Sequence, residues 1–122
     1  MIRGLGVDIV EVDRIRRAEA RWGDAFLRRV FTPRERPLSR TPTAAERLAG
    51  RFAAKEAVMK ALGLGRRGMG WLEIEITTDP LGKPGVYLTG RAALAAERLG
   101  VRAWSLAISH TRMVAIAEAL AE

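Results

Sequence analysis

RAWSLAISHTRMVAIAEAL, residues 102–120, reads as two strands, 102–109 and 113–120, joined by His110-Thr111-Arg112. So short a link allows only an antiparallel pair, because a parallel crossover needs a dozen residues or more. Upstream, WLEIEIT (71–77) alternates with Leu72, Ile74 and Ile76 on one face, and VYL (86–88) is a second strand. The run DPLGKPG (79–85) between them is turn chemistry. An alanine-rich helix at 90–99, stopped by Gly100, separates the two strand pairs. The strands are apolar on one face and rich in alanine or serine on the other. Small residues on a second sheet face suit either a closely packed helix or another subunit.

The N-terminal half is mostly helical. RGLGVDIV (3–10) reads as a short buried strand interrupted by Asp8. Helices are expected at 13–22 and 24–30, broken near Gly23. Thr32-Pro33-Arg34-Glu35 has a helix-start pattern, threonine at the cap and glutamate three residues on, with the helix ending near Pro37. Residues 37–43 form a connector. Thr43 and Glu46 make a second capping box, and AAERLAGRFAAKEAVMKAL continues to a stop at Gly63. Gly63 to Gly70 is a glycine-rich, basic, mobile loop. The order is strand, helices, two strands, helix, two strands. It predicts an α+β fold with a mainly antiparallel sheet, in one domain over residues 1–122.

Composition narrows the chemistry. There is no cysteine and one histidine, which removes disulfides, thiolate metal sites and two-histidine metal motifs. No apolar run is long enough to span a bilayer, and MIRGLGVDIVEVDRI has no signal-peptide core, so a cytoplasmic protein is expected. The net charge of +7 is uneven: residues 14–40 hold nine arginines against three acids. A concentrated basic face attracts a polyanion, although a solvated arginine-rich helix gives the same pattern. Nucleic acid is disfavoured by an aromatic content of only 6%.

Asp8 stands out, because an unpaired carboxylate in a buried strand costs several kcal/mol. On the long helix, Leu48, Phe52, Met59 and Leu62 form one apolar stripe. Lys55 sits in its middle, Glu56 at its edge, and Lys60 lies four residues beyond Glu56. Snorkelling stems and a Glu-to-Lys surface pair would explain both lysines. Asp8 and Glu56 can also converge on a hard cation, since magnesium takes one or two protein carboxylates with water and phosphate oxygens. His110, after Ser109, is a candidate phosphate donor or proton carrier, or a turn residue without a role. No GxSxG, Walker A or GxGxxG occurs in usable context.

Four segments together resemble the holo-[acyl-carrier-protein] synthase family, the small bacterial branch of the 4′-phosphopantetheinyl transferases. They are GLGVDIVEVDRI (4–15), RFAAKEAVMKALG (51–63), LEIEI…PLGKP (72–84) and SLAISH (105–110). The resemblance covers essentially the whole chain. It implies transfer of 4′-phosphopantetheine from coenzyme A to a serine of acyl carrier protein, with release of 3′,5′-ADP, in fatty acid biosynthesis. It implies Asp8 and Glu56 as magnesium ligands, and Lys60 on the reacting phosphate. Arg51, His110 and Thr111 would hold coenzyme A phosphates, with Lys83 and Pro84 near the adenine. Arg14, Arg17 and Arg21, on one helix face, would receive the acidic carrier protein. Glu56 or a water on the metal would accept the serine proton. A homotrimer with active sites at subunit boundaries is also implied. Two features depart from the family pattern: the two prolines of RPLSRTP, and glutamate at position 73 where relatives often have aspartate. The competing readings are a basic, non-catalytic module for RNA or an acidic protein, and a magnesium-dependent nuclease or phosphohydrolase.

Overall fold

The computed structural model describes residues 1–36, 41–65 and 68–122. Strand β1 (Gly4–Glu11) leads into α1 (Val12–Trp22) and α2 (Asp24–Val30), then the long α3 (Ala44–Leu62). The hairpin β2 (Ile74–Thr78) and β3 (Pro84–Leu88) follows, then α4 (Gly90–Leu99) and the hairpin β4 (Trp104–His110) and β5 (Val114–Ala121). The strands form two antiparallel sheets, one of order β1-β5-β4 and one of β2-β3. The α+β fold with antiparallel pairing is thus as expected. Among the described residues no helix is long and apolar enough to cross a membrane.

Helix α3 is the centre of the molecule. Thirteen of its nineteen residues are buried, so it meets protein on nearly every side rather than along one stripe. It reaches the sheet closely because the facing side chains are small. Ala115, Ala117, Ala119 and Ala121 of β5 are buried beneath it. A Cβ added at Gly6 would lie 1.9 Å from the Ala57 carbonyl oxygen, and one at Gly4 2.0 Å from that of Ala61. At the other end Gly50 lies against Ile108 of β4. The helix therefore crosses the sheet diagonally, from β4 to β1. On β1 and β5 the small residues lie on the face covered by α3, whereas β4 turns Trp104, Leu106 and Ile108 to the core and leaves Ser105, Ala107 and Ser109 exposed. On the uncovered face Leu5, Val7, Ile9 and Ile116 stand exposed.

Several local expectations are corrected. Thr32–Glu35 starts no helix. Glu35 does take the Thr32 N–H, at 2.8 Å, but the same carboxylate is drawn into the core by Lys55 and by the Ile76 N–H. Among the described residues a turn forms, with the Glu35 and Arg36 N–H groups donating to the Thr32 carbonyl. The second capping box is also not made: Thr43 has helical backbone angles and no side-chain cap bond, and Glu46 turns away to His110. Leu72 is not on a strand face. Trp71–Glu73 is a single 3₁₀ turn, and Leu72 is exposed while Ile74 and Ile76 are buried. Pro84 and Gly85 belong to β3, so the turn is Asp79–Lys83, with Asp79 Oδ1 accepting from the Leu81 and Lys83 N–H groups. His110 is the last residue of β4 rather than part of the turn. The expected end near Pro37 and the first part of the 37–43 connector (37–40) lie outside the described residues, as do Arg66 and Arg67 of the glycine-rich loop.

Glu73, which carries no reading from sequence beyond its departure from the family, is a cap supplied from a distance. Thr89 makes no side-chain cap for α4. Instead Glu73 accepts from the Arg91 and Ala92 N–H groups, from Gly70 N at 2.9 Å, and from the Arg91 guanidinium at 3.0 Å. Burial alone would raise its pKa, but these donors outweigh burial and hold the carboxyl below its ordinary value. A lowered folded value means the contribution is complete above the unfolded carboxyl pKa and is lost as pH falls through the folded one. Glu73→Gln is expected to cost about 1–2 kcal/mol at pH 7. The gap to wild type should shrink below about pH 4. Urea midpoints at pH 7 and pH 3 check this.

Candidate active site

Asp8 sits on the face of β1 that meets α3, next in alternation after Gly4 and Gly6, which is why a carboxylate can occupy this strand. Lys60, on α3, donates to Asp8 Oδ1 at 3.1 Å and to the Val7 carbonyl at 3.0 Å. Asp8 is partly shielded, with 18% of its side chain exposed against 53% for Lys60. The lysine head is thus a wet, movable cation tethered to a fixed acid. Glu56 precedes Lys60 by one helical turn on the same side of α3. Asp8 and Lys60 are in contact, with Glu56 next to them on the helix.

A second group lies on the other side of α3. Arg51 and His110 line an open cleft of about 320 Å³ with Arg47, Thr78, Gly82 and Pro84. Arg51 donates to the Glu35 carbonyl. Its pKa is lowered, chiefly by burial, with Glu35 opposing and the like charge of Arg47 adding to the fall. Two guanidiniums held side by side favour an anion between them. Lys83 and Thr111 do not line this cleft. Lys83 is on the exposed turn beside it, and Thr111 Oγ1 accepts from the Met113 and Val114 N–H groups, organising the β4–β5 turn. Arg47 escaped the sequence reading, although it lies four residues before Arg51 on the same helix face.

The two groups cannot meet within one chain. Arg51 and Lys60 are nine residues apart, which at about 100° per residue places them on opposite sides of the helix. Helix α3 itself stands between them.

A third feature is a cleft of about 390 Å³ between α1, α2 and α3, lined by Arg14, Arg29, Trp22, Phe26, Phe52 and Trp71. The Arg14 guanidinium lies 5.2 Å from the Phe52 ring centroid. Of the three arginines singled out on α1, only Arg14 lines it. Arg21 stacks on Trp22, at 4.9 Å, and Arg17 faces Asp13 at 3.6 Å in the open. The aromatic half of this surface was not read from sequence, because Trp22, Phe26, Phe52 and Trp71 come from separate elements.

Lys55, given a snorkelling alternative above, is instead fully buried. Its ammonium contacts Glu35 Oε1 at 2.7 Å and donates to the Trp71 and Ile74 carbonyls. Burial pushes its pKa down, and the Glu35 carboxylate opposes that.

The family model of the 4′-phosphopantetheinyl transferase superfamily matches residues 4–113. The chain belongs to the 4′-phosphopantetheinyl transferase superfamily. A holo-[acyl-carrier-protein] synthase of Solidesulfovibrio magneticus is 48% identical, with 100% of this chain and 99% of that protein covered. The crystal structure of holo-[acyl-carrier-protein] synthase from Neisseria meningitidis superposes with a TM-score of 0.89 at 39% identity, covering 100% and 99% of the two chains. That from Helicobacter pylori, in complex with coenzyme A, gives 0.84 at 31% identity over 97% and 99%. Similarity over the full length groups the transferase with the holo-[acyl-carrier-protein] synthases.

Proposed function

We propose that the protein moves the 4′-phosphopantetheinyl group of coenzyme A to a serine of an apo acyl carrier protein, in a magnesium-dependent reaction that releases 3′,5′-ADP and serves fatty acid synthesis in the cytoplasm. The observation that carries this is the tethered Lys60–Asp8 pair on one flank of α3, with the Arg51–His110 cleft on the other. One flank suits a phosphate under attack. The other suits the phosphates that stay on the leaving nucleotide.

The serine hydroxyl gives up its proton, to Glu56 or to a water beside it, as its oxygen bonds to the β-phosphorus, and the bond from that phosphorus to the bridging oxygen of the α-phosphate breaks. The bridging oxygen leaves with 3′,5′-ADP. Negative charge grows on phosphate oxygens, so positioning and electrostatics dominate. Lys60 can leave Asp8 for the phosphate, since its head is exposed. Arg51 is held by Glu35 in a fixed aim toward the cleft. His110 offers a further donor there, with Lys83 and Pro84 at the rim toward the adenine and Thr111 holding the turn.

The donor set fits magnesium. Asp8 and Glu56 are hard oxygen ligands, and among the described residues no group of three or more His, Cys, Asp or Glu is gathered into a full protein cage. Two carboxylates leave places for phosphate and water, as magnesium prefers. When bound, the ion would neutralise charge on the diphosphate.

Because the two flanks face opposite ways, a complete site takes the Arg51–His110 cleft from one copy and Asp8, Glu56 and Lys60 from a neighbour. The exposed Leu5, Val7, Ile9 and Ile116 face supports such an assembly, read here as a trimer. Two tests apply. Apo carrier protein, coenzyme A and magnesium should yield a phosphopantetheine adduct by mass spectrometry; no adduct refutes the transfer. Arg51→Ala and Lys60→Ala proteins, each nearly inactive, should recover a measurable part of wild-type activity when mixed and allowed to exchange subunits. No recovery despite exchange refutes the shared site.

The arginine and aromatic cleft at Arg14 is the docking surface for the acidic carrier protein, with Arg17 and Arg21 steering at its edge. Arg14→Glu is expected to raise the KM for carrier protein about tenfold or more and to leave that for coenzyme A within about twofold. The wild-type KM for carrier protein should rise with salt. Equal effects on both substrates would argue against docking there.

A further inference from the structure

We infer that Arg47 is a specificity-determining residue and Thr41 its positioning residue: braced by Thr41, Arg47 joins Arg51 in a two-guanidinium seat for the ribose 3′-phosphate of coenzyme A, and so selects coenzyme A over its 3′-dephospho form. This rests on the reading of that cleft as the seat of coenzyme A phosphates. Arg47 and Arg51 both line the cleft of about 320 Å³. They are four residues apart on α3, so their side chains start about 5–6 Å from each other on one face. Each guanidinium is aimed by a neutral oxygen. Arg51 donates to the Glu35 carbonyl, and Arg47 Nη2 donates to Thr41 Oγ1 at 3.2 Å. Thr41 is itself fixed at the start of α3. Its carbonyl accepts the Ala44 N–H at 3.0 Å, and its hydroxyl lies 3.3 Å from that of Thr43.

Neutral acceptors leave both charges uncancelled. Among the described residues neither arginine forms an ion pair. Of the nearby carboxylates, Glu35 faces the Lys55 ammonium at 2.7 Å and Glu46 lies beside His110. Burial, chiefly, and then the like charge of Arg47 lower the Arg51 pKa against the pull of Glu35, so the two guanidiniums are close enough to repel. An anion of matching charge relieves that repulsion and takes hydrogen bonds from both forks. Coenzyme A offers two kinds of phosphate. Those of the diphosphate bridge are diesters, each with a single charge. The ribose 3′-phosphate is a monoester, with about −1.5 to −2 charge at pH 7 and three free oxygens. Only the monoester matches a pair of guanidiniums, and it is also the phosphate that takes no part in the transfer. Arg47 is exposed while Arg51 is half-buried. An exposed arginine loses rotamer freedom when it binds, and the Thr41 bond takes up part of that loss beforehand.

Calorimetry of coenzyme A and of 3′-dephospho-coenzyme A on the intact protein, without carrier protein, reads the seat directly. Wild type should bind coenzyme A about tenfold tighter or more than the dephospho form, the worth of charge-assisted hydrogen bonds. Arg47→Gln should weaken coenzyme A about tenfold and the dephospho form less than about twofold. Thr41→Val keeps the shape and removes the acceptor. It should weaken coenzyme A about two- to threefold, with Thr41→Ser behaving as wild type, and should add nothing in an Arg47→Gln background. Unchanged coenzyme A binding in Arg47→Gln, or equal weakening of both ligands, overturns the Arg47 role. A Thr41→Val protein that binds as wild type, or whose loss persists in the Arg47→Gln background, overturns the positioning role. In either case a loss of coenzyme A binding in Arg51→Ala leaves the reading of the cleft standing. An Arg51→Ala protein that binds coenzyme A as wild type does would overturn that reading, and the seat with it.

Discussion

Asp8→Ala is expected to lower kcat/KM by about 10²–10³-fold at saturating magnesium, the scale seen when a group stabilising transition-state charge is removed. Asp8→Asn should lose nearly as much. It preserves the shape and an oxygen for the Lys60 ammonium, which now sits 3.1 Å from Oδ1, but removes the charge that a hard cation needs. The concentration of magnesium needed for half-maximal rate should rise in the asparagine variant. Folding should change little, because the side chain is partly exposed and no other hydrogen bond to it is seen among the described contacts. Steady-state assays over a magnesium series, beside urea denaturation, check both halves. A wild-type rate in either variant would remove Asp8 from the site.

Lys55→Met is the change expected to cost most stability, about 3–5 kcal/mol, because it strands a buried carboxylate. Lys55 and Glu35 are both 0% exposed. Around their contact the Thr32 and Ile76 N–H groups and the Trp71 and Ile74 carbonyls are all satisfied. The double variant Glu35→Gln with Lys55→Met removes both charges together and should be far milder than the single change. That non-additivity is the signature of the pair. The loss also reaches the cleft. The Glu35 carbonyl holds the Arg51 guanidinium, so loosening residue 35 should raise the KM for coenzyme A more than it lowers kcat. Additive stability losses would mean the two side chains act independently.

These two residues also show where reading along the chain succeeds and where it stops. Asp8 was legible because a carboxylate in an apolar, glycine-rich strand breaks the local pattern, and Lys60 because it follows Glu56 by one helical turn. Lys55 broke the pattern equally plainly, but its reason lay twenty residues away in Glu35. Glu35 in turn looked like an ordinary capping residue. The two capping boxes misled differently. Glu35 makes the local bond its spacing predicts, to the Thr32 N–H, but the same carboxylate also meets a buried ammonium and the Ile76 N–H. Glu46 makes no cap and lies beside His110 instead. A carboxylate can satisfy several donors at once, and the distant ones leave no mark in local spacing.

Spacing and residue type alone were enough for the α+β class, the paired antiparallel strands, and the long α3 with its stop at Gly63. Each follows from repeats of two or 3.6 residues, or from a stop residue, which are properties of neighbours on one chain. Which sheet face is covered, which glutamate meets which cation, and that β1 with Asp8 lies on the Lys60 side of α3 while His110 lies on the Arg51 side came only with the folded molecule. Those outcomes are settled by close approach between distant segments, where the absence of a Cβ at Gly6 or the depth of a cavity matters more than any local preference.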